Sequence, residues 1–277
     1  MFRGLHAATS GMMAYNRQQQ VLTNNLSNAV TPGYKSDTTA FRSFPQQLIE
    51  KLGNGNLNGL SGSLAGTMSV GTYAQEAIPN FSQGILKETK NSTDFALQSS
   101  FLPLDPATNQ KGALVFAVET VNGDIRYTQN GQLQVNQEGF LVTAQGEQVL
   151  NSNQQPIRLN SMDFQVDGRG RLTVAGEPGP TLWIGYTSDP KSLVKEGSGL
   201  LRYEGEEANS PQLAANAPLI NAADTLLMQG FLEQSNVDLS KVMTDMLRTY
   251  RGFESNQKVL QAYDQSMQKA VTEIGRV

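Results

Sequence analysis

Apolar residues near the start of the chain recur at alternating steps of three and four positions. The series from Leu5 to Ala29 has eight members, of which only Gln19 is neither apolar nor aromatic. This spacing puts them on one face of a helix, as the a and d positions of a heptad, and predicts an amphipathic helix of about 25 residues. The helix is expected to end before Thr31, because Pro32 disfavours helical geometry at the preceding residue.

The C-terminal end repeats the pattern over a longer run. Eleven positions from Leu239 to Ile274 keep the spacing, and nine of them are apolar or aromatic. The run predicts a second, longer helix, with Ser235 or Asn236 as its N-terminal cap. Neither helix can bury its stripe alone, so the simplest architecture pairs the first segment with the last; two separate helical hairpins are the alternative.

Glycines interrupt the first helix at positions 4 and 11. Each is expected to weaken the helix by up to about 1 kcal/mol relative to alanine, because glycine loses more backbone freedom on folding.

Between the two ends the period changes to two. From about Phe81 to Glu207, short alternating runs are separated by turn residues, and Asn122-Gly123 and Asn130-Gly131 are strong hairpin signals. Strands at this spacing predict a compact antiparallel sandwich or barrel. Ahead of them, Phe44 to Leu52 indicates a short helix, and the Gly/Asn tract at 53–66 a flexible loop or extended connector.

These patterns predict an α+β fold, in which long N- and C-terminal helices pair as a coiled coil around an inserted, mainly antiparallel β-domain. The predicted segments are the N-terminal helix and turn of a helical core domain (1–43), a Gly/Asn/Ser-rich connector (44–80), the β-domain (81–220) and the C-terminal helix of the core domain (221–277).

Composition removes several function classes. The chain has no cysteine and one histidine among 277 residues, which excludes cysteine or polyhistidine metal sites and thiol nucleophiles. A net charge of −4 gives no general attraction to nucleic acid. No apolar run is long enough to span a membrane, and no apolar core of a cleaved signal peptide follows the N-terminus.

Amides are unusually abundant, since the 25 Gln and 21 Asn together equal the number of charged residues. By itself this composition indicates a polar, cysteine-free protein and leaves its purpose open.

No catalytic constellation stands out. His6 has only Arg3 and small residues near it in sequence, and Gly53-Asn54-Gly55 lacks the Lys-Ser or Lys-Thr of a phosphate loop. Paired carboxylates for glycoside cleavage stay open, because their separation depends on the fold. We therefore expect no enzyme activity, no cofactor and no metal.

Two polar runs rise above this background. Asparagine and serine crowd the end of the first helix from Thr23 to Ala29, directly before the turn Thr31–Lys35. A second run, Gln229–Val237, leads into the long helix. Ordinary helix capping explains such runs on physical grounds alone, and specific amide contacts are the alternative.

The same runs resemble the terminal signatures of the axial flagellar proteins, in particular the basal-body rod group with its proximal and distal rod proteins. The resembling motifs are Ala8-Thr9-Ser10-Gly11-Met12, Asn24-Asn25-Leu26-Ser27-Asn28-Ala29, Thr31-Pro32-Gly33-Tyr34-Lys35, Gln229-Gly230-Phe231-Leu232-Glu233-Gln234-Ser235-Asn236-Val237-Asp238-Leu239 and Arg251-Gly252-Phe253-Glu254-Ser255-Asn256-Gln257-Lys258. The middle is similar in Phe81–Gly84, Asp94–Leu97, Arg126–Gly131 and Glu138–Thr143, but departs from the family pattern at Ser99–Pro103.

The resemblance implies a structural subunit of the bacterial flagellar basal-body rod, outside the cytoplasmic membrane. It implies export by the flagellar type III system without a cleaved signal peptide, and helical polymerisation through the terminal helices into a shaft that links motor to hook. The implied partners are copies of the chain, other rod and hook proteins and the export apparatus, with neither nucleic acid nor membrane insertion.

The expected assembly interface lies on the two terminal segments. Because their seams have no partner within either segment, residues 1–30 and 236–277 are expected to be mobile in the isolated monomer and to order on assembly. The expected interface residues are Leu5, Met12, Tyr15, Leu22, Asn24, Asn25, Leu26 and Asn28, the turn Thr31, Pro32, Gly33 and Tyr34, and Ser235, Asn236, Val237, Leu239, Val242, Met246, Phe253, Asn256, Leu260, Tyr263, Met267 and Ile274.

Two other functions stay open on the residues alone. A cell-wall-acting enzyme, such as a peptidoglycan hydrolase, would suit a protein that crosses that layer. A surface carbohydrate-binding or adhesive module on a coiled-coil stalk would explain the amides and strands, but not the terminal signatures.

Overall fold

The computed structural model describes residues 2–45, 47–50, 64–68, 71–99, 102, 111–161, 164–205, 210–214 and 225–274. The chain divides into two compact units. The helical unit comprises residues 1–27, 37–78 and 238–277, and the β unit comprises 28–36 and 79–237. The predicted combination of terminal helices with an antiparallel sheet domain is confirmed.

Both predicted terminal helices are present. Helix α1 spans Phe2–Ser27 and ends before the proline-containing turn, and helix α2 spans Leu239–Ile274. The predicted cap of α2 is wrong, because the carboxylate of Asp238 accepts hydrogen bonds from the backbone N–H groups of Ser240 and Lys241. Asn236 is unavailable as a cap, since its side chain bonds elsewhere in the β unit.

The helical unit also contains short strands, and the predicted helix from Phe44 to Leu52 is wrong. Strand pairing overrides the weak local helix preference there, because β3 and β4 form an antiparallel ladder. Residues 53–63 of the predicted Gly/Asn connector lie outside the described residues. The strands of this part of the chain are β1 (Asp37–Thr38), β2 (Phe41–Ser43), β3 (Gln47–Glu50), β4 (Leu64–Met68), β5 (Thr72–Ala74) and β6 (Ile78–Pro79).

The β unit is built from antiparallel strand pairs. The described residues give its main sheet nine strands, with β9 near the centre, where it pairs with β10, β13 and β17. The strands of this unit are β7 (Leu86–Glu88), β8 (Phe95–Leu97), β9 (Ala113–Glu119), β10 (Ile125–Thr128), β11 (Leu133–Val135), β12 (Leu141–Thr143), β13 (Gln148–Val149), β14 (Phe164–Val166), β15 (Arg171–Val174), β16 (Glu177–Thr181), β17 (Ile184–Thr187), β18 (Leu193–Gly197), β19 (Leu200–Tyr203), β20 (Gln212–Leu213), β21 (Leu227–Gln229) and β22 (Phe231–Glu233).

Strand β9 is buried on both faces, which explains its continuous apolar sequence. Phe116 and its neighbours two residues away face a large cluster that includes Phe95 and Leu141. Val115 faces a second cluster that includes Trp183. Successive side chains of a strand point to opposite faces, so one strand contributes to both cores.

One of the two predicted hairpins is present. The turn at Asn122-Gly123 joins the paired strands β9 and β10, and Gly123 has a positive φ of 82°. The hairpin predicted at Asn130-Gly131 is wrong, since β11 pairs with β12 instead of β10. Gly131 serves another purpose: it accepts a hydrogen bond from the N–H of Phe95, and a side chain there would overlap the backbone of Phe95.

The last two strands belong to the β unit. Strand β21 pairs with β8, and β22 pairs with β7. Residues 221–277 are predicted from sequence to belong with the C-terminal helix, whereas the compact β unit continues to Val237. Strand β22, which lies in the signature Gln229–Val237, is therefore a neighbour of β7.

Candidate assembly interface

The two terminal helices contact each other inside the helical unit. Space that side chains would fill at Gly4, Gly11 and Gly252 is taken by Tyr263, Asn256 and Tyr15 respectively. A fourth contact is the hydrogen bond of 3.1 Å from the Thr249 hydroxyl to the side-chain oxygen of Gln18.

These four contacts define an antiparallel register. Along α1 they fall at positions 4, 11, 15 and 18, and along α2 at positions 263, 256, 252 and 249. The steps are seven, four and three residues on both helices. The glycines that were expected only to weaken α1 therefore let large side chains of α2 approach its backbone.

The predicted seam of α1 lies on its less exposed side. Leu22 is buried, while Leu5, Met12, Tyr15 and Leu26 are half-buried. The ring of Tyr15 also packs edge-on against Phe41 of β2, with 5.1 Å between ring centroids. A neighbouring face of the same helix, which sequence analysis missed, buries Ala14 and Val21. Helix α1 is thus covered on two sides.

Most predicted seam residues of α2 are also sheltered. Val242 is buried, whereas Leu239 is 44% exposed. The side chain of Ile274 lies outside the described residues. The half-buried members of the seam are Met246, Phe253, Asn256, Leu260, Tyr263 and Met267.

A second apolar stripe on α2 was missed. Leu239, Met243, Leu247 and Tyr250 follow one another at steps of four, four and three, and are 44% to 62% exposed. This outer stripe lies beside the face that contacts α1. Its signal was present in the sequence, but the longer seam of the same helix masked it.

The asparagines at the end of α1 have different surroundings. Asn25 is buried, and its side-chain amide exchanges two hydrogen bonds of 2.8 Å with the backbone of Asp37. Asn28 accepts a bond from the Thr31 hydroxyl within the β unit, whereas Asn24 is exposed. A shallow depression of about 550 Å³ on α1 is lined by Asn16, Gln19, Gln20, Thr23, Asn24 and Ser27.

The two signature runs meet within the β unit around a buried ion pair. The ammonium of Lys35 lies 2.7 Å from the carboxylate of Glu233, and both side chains are 5% exposed. Lys35 also donates to the carbonyl of Ser82. The N–H of Gly84 donates to the Glu233 carboxylate, so both buried charges have additional hydrogen-bond partners.

Asn236 ties the same two runs together. Its side-chain oxygen accepts from the N–H of Ser36 at 2.7 Å, and its nitrogen donates to the carbonyls of Asn80 and Ser82. Its own N–H donates to the carbonyl of Tyr34. We call Lys35, Glu233 and Asn236 the latch.

The turn before Lys35 is fitted to the latch. Gly33 has a φ of 69°, its N–H donates to the carbonyl of Glu233, and a side chain there would overlap the backbone at Gln129. The ammonium of Lys195 lies 4.0 Å from the centre of the Tyr34 ring and donates to the carbonyl of Lys35. The half-buried Thr31 and Pro32 complete the turn, and Ser235 and Val237 flank Asn236, with the Val237 N–H donating to the Ser235 hydroxyl.

The charged groups of the surface form ordinary ion pairs. A hydrogen bond from Lys258 lowers the pKa of the Glu254 carboxyl on α2. In the β unit, a hydrogen bond from Arg126 does the same to the pKa of Glu196. Among the described residues, no cluster of three or more metal-ligating side chains occurs, and none of their helices is both long and apolar enough to cross a membrane.

Three family models match the chain. The flagella basal body rod protein model matches residues 5–35, the flagellar hook protein FlgE/F/G D1 domain model matches 111–174, and the flagellar basal body rod FlgEFG protein C-terminal model matches 228–273. The flagellar hook-basal body complex protein FlhO of Bacillus subtilis is 38% identical over 277 residues, which cover 100% of both chains. The chain belongs to the flagellar basal-body rod protein family.

Other rod proteins are similar over nearly the whole chain. The flagellar basal-body rod protein FlgG of Bacillus subtilis is 31% identical and the match covers 98% of each chain. The flagellar basal-body rod protein FlgF of Escherichia coli is 28% identical over 96% of each chain. The two terminal rod-family matches contain most of α1, most of α2 and all three latch residues, so the latch lies in the part of the chain that carries the family resemblance.

Proposed function

We propose that this chain is exported by the flagellar type III system without a cleaved signal peptide and polymerises through α1 and α2 into the axial shaft between motor and hook. As a rod-family member it is a structural protein of the flagellar basal body, a class that is not enzymatic. Its proposed partners are copies of itself, other rod and hook proteins, and the export apparatus.

The outer stripe is the observation that carries this proposal. Four large apolar side chains at helical spacing stay in contact with water in the isolated chain, beside a face that already contacts α1. Because each is already about half covered, burying the rest of each would contribute roughly 1 kcal/mol, which favours association with a neighbouring helix. If this surface of each copy binds a different surface of the next copy, the contact does not close on itself. The copies then form a filament.

Under this proposal, the half-buried and the exposed residues predicted on the two helices have different roles. The half-buried seam residues of both helices hold α1 and α2 together as a coiled coil, with Tyr263 and Asn256 seated against glycines. The exposed members, which are Leu239 and Asn24, together with the outer stripe and the amide-lined depression of α1, meet neighbouring copies. Amides suit that depression, because they can donate and accept hydrogen bonds without burying a charge.

Electron microscopy of the purified protein at high concentration tests the proposal. The parent is expected to form filaments, and Leu247→Asp is expected to abolish them, because it puts a charge on the outer stripe. Gln257→Asp, on an exposed polar position of the same helix, is the matched control and should assemble. Filaments of unchanged yield from Leu247→Asp, with Trp183 fluorescence unaltered, would contradict the proposal.

Hydrogen exchange of dilute monomer addresses the order of the helices before assembly. We expect fast exchange along α1 and α2, where few side chains are fully buried, and slow exchange at the backbone N–H groups of Gly33 and Ser36, which donate to Glu233 and Asn236. The residues expected to be mobile in the monomer are therefore those of the two helices, and not the whole of 1–30 and 236–277. Strong protection throughout both helices in the monomer would contradict this expectation.

A further inference from the structure

The apolar seams of α1 and α2 do not by themselves select one register. Both seams repeat every seven residues, so a slip of one heptad again faces apolar positions with apolar positions. Such a slip would set Gly11 against Tyr263 and Gly4 against Ala270, which still leaves room for the tyrosine ring. A second device is needed to choose between the two registers.

The latch has the geometry of such a device. Gly33 donates to the carbonyl of Glu233, Asn236 donates to that of Tyr34, and Lys35 pairs with Glu233. These contacts join the run that follows α1 to the run that precedes α2.

The lengths of chain on the two sides also match. Gly33, whose N–H donates to the carbonyl of Glu233, lies 15 positions after Gln18, the last helix contact on α1. Sixteen positions separate Glu233 from Thr249, the partner of Gln18. A slip of one heptad shifts one helix by about 10 Å along the other, so one connection would have to become longer than the other by that amount.

Little slack is available to absorb this difference. Only residues 28–34 lie between α1 and Lys35, and only residues 237 and 238 lie between Asn236 and α2. The first link is closed by a hydrogen bond from the N–H of Thr31 to the carbonyl of Asn28. The second link is held by the hydrogen bond from the N–H of Val237 to the hydroxyl of Ser235 and by the Asp238 cap of α2.

We infer that Lys35, Glu233 and Asn236 are positioning residues that fix the register in which α1 and α2 pair. The buried charges make this choice strict, because a displaced latch would leave an ammonium or a carboxylate buried without its partner. The inference concerns pairing within one chain and does not depend on the proposed rod function.

The chain has no cysteine, so introduced cysteine pairs report the register directly. The native pair is Gln18→Cys with Thr249→Cys, and the slipped pair is Gln18→Cys with Asn256→Cys. In the parent, the native pair is expected to form an intrachain disulfide and the slipped pair to react at least about tenfold more slowly, because an offset of about 10 Å exceeds the reach of a disulfide.

Latch variants then decide the inference. Asn236→Ala and Glu233→Gln should bring the rate of the slipped pair to within a few-fold of the native pair. Glu254→Gln is the matched control, since it removes a carboxylate that is also 2.7 Å from a lysine, but outside the latch. It should leave the slipped pair slow.

Two results would overturn the inference. One is a slipped pair that stays slow in both latch variants while their Trp183 fluorescence shows a folded β unit. The other is loss of that fluorescence signature even in Asn236→Ala, which lacks a buried charge change; the latch would then serve the β core itself and not the helix register.

Discussion

The two units bury their apolar side chains in different ways. In the β unit, Phe116 and Leu141 are completely enclosed, and two clusters share the strands between them. In the helical unit, the buried apolar residues of the helices are the small or medium-sized Ala8, Ala14, Val21, Leu22 and Val242. Large side chains of α2 remain exposed on the outer stripe. The β unit can therefore hold itself together, whereas the helices keep much of their stabilising surface for contacts with other chains.

Truncation of the β core should have the largest effect on stability. Phe116→Ala removes a fully buried ring and is expected to lower the free energy of unfolding of the β unit by about 3 to 5 kcal/mol, through lost burial and the cavity left behind. Denaturant titration followed by Trp183 fluorescence measures this, because the only tryptophan lies in the second core cluster. Far-UV circular dichroism follows the helices separately.

The control for this variant is Val121→Ala, at a turn position that is 98% exposed. It should change the free energy of unfolding by less than about 0.5 kcal/mol. An equal loss from both variants would mean that the β unit is not the self-supporting region described here.

Two glycines in turns of the β unit allow the cost of backbone strain to be compared with the cost of a packing overlap. Gly123 and Gly139 both have positive φ, but a Cβ at Gly139 would lie 2.8 Å from the carbonyl oxygen of Leu159, whereas nothing lies within 4 Å of one at Gly123. Gly123→Ala should cost about 1 to 2 kcal/mol from backbone strain alone, and Gly139→Ala about 2 to 4 kcal/mol because the backbone must also shift. Denaturant midpoints of the two variants give the comparison directly, and equal values would exclude a packing contribution.

Replacing Gly252 on α2 by alanine tests whether the helices pair, because the change in stability has opposite signs in an isolated and in a paired helix. Alanine is a better helix former than glycine by about 1 kcal/mol, so Gly252→Ala would stabilise an isolated helix. Here the added methyl would lie 2.5 Å from the Tyr15 ring, and we expect a net loss of about 1 kcal/mol. Thermal melting of the helical circular dichroism signal measures it.

Ser255→Ala, on the exposed side of α2, is the matched control and should gain a few tenths of a kcal/mol. If Gly252→Ala raised the melting temperature as Ser255→Ala does, the helices would not be paired at this glycine in the isolated chain.

The smallest expected effect is a pH dependence in the β unit. Burial raises the pKa of Tyr127 above its ordinary value, with Tyr203 adding to the effect. Below the ordinary tyrosine pKa both the folded and the unfolded chain keep the proton. As the pH rises past it, the unfolded chain ionises first, so stability falls until the folded pKa is passed.

Tyr127→Phe should lessen this alkaline loss. The rings of Tyr127 and Trp183 are 5.7 Å apart, so Trp183 fluorescence reports the titration of the parent. An identical alkaline profile for parent and variant would contradict the assignment to Tyr127.

Sequence alone predicted the features that depend on local periodicity. The helices, the strand β9 and the Asn122-Gly123 turn follow from spacings of a few residues, which the chain carries wherever it folds. Prediction from sequence was wrong where tertiary contacts determine the local structure. Residues 44–52 include a strand because β4 offers a partner.

Local periodicity also explains which contacts between the two helices could be predicted. The seam residues were found by their period, but the glycines that seat Tyr263 and Asn256 carry no apolar signal. The latch joins residues 198 positions apart in sequence, and no local pattern pairs Lys35 with Glu233. Its members were recognised as signature residues, whereas their contacts required the fold.

The pairing of β7 with β22 has a consequence for how this protein can vary. It holds Leu86 beside Glu233, so everything between them, all of it in the β unit, leaves and rejoins the chain at one point. An inserted module with adjoining ends can be enlarged, shortened or exchanged while its host keeps the same attachment. This segment is thus a replaceable cassette, and grafting a foreign domain between Leu86 and Glu233 should preserve the pairing of the helices.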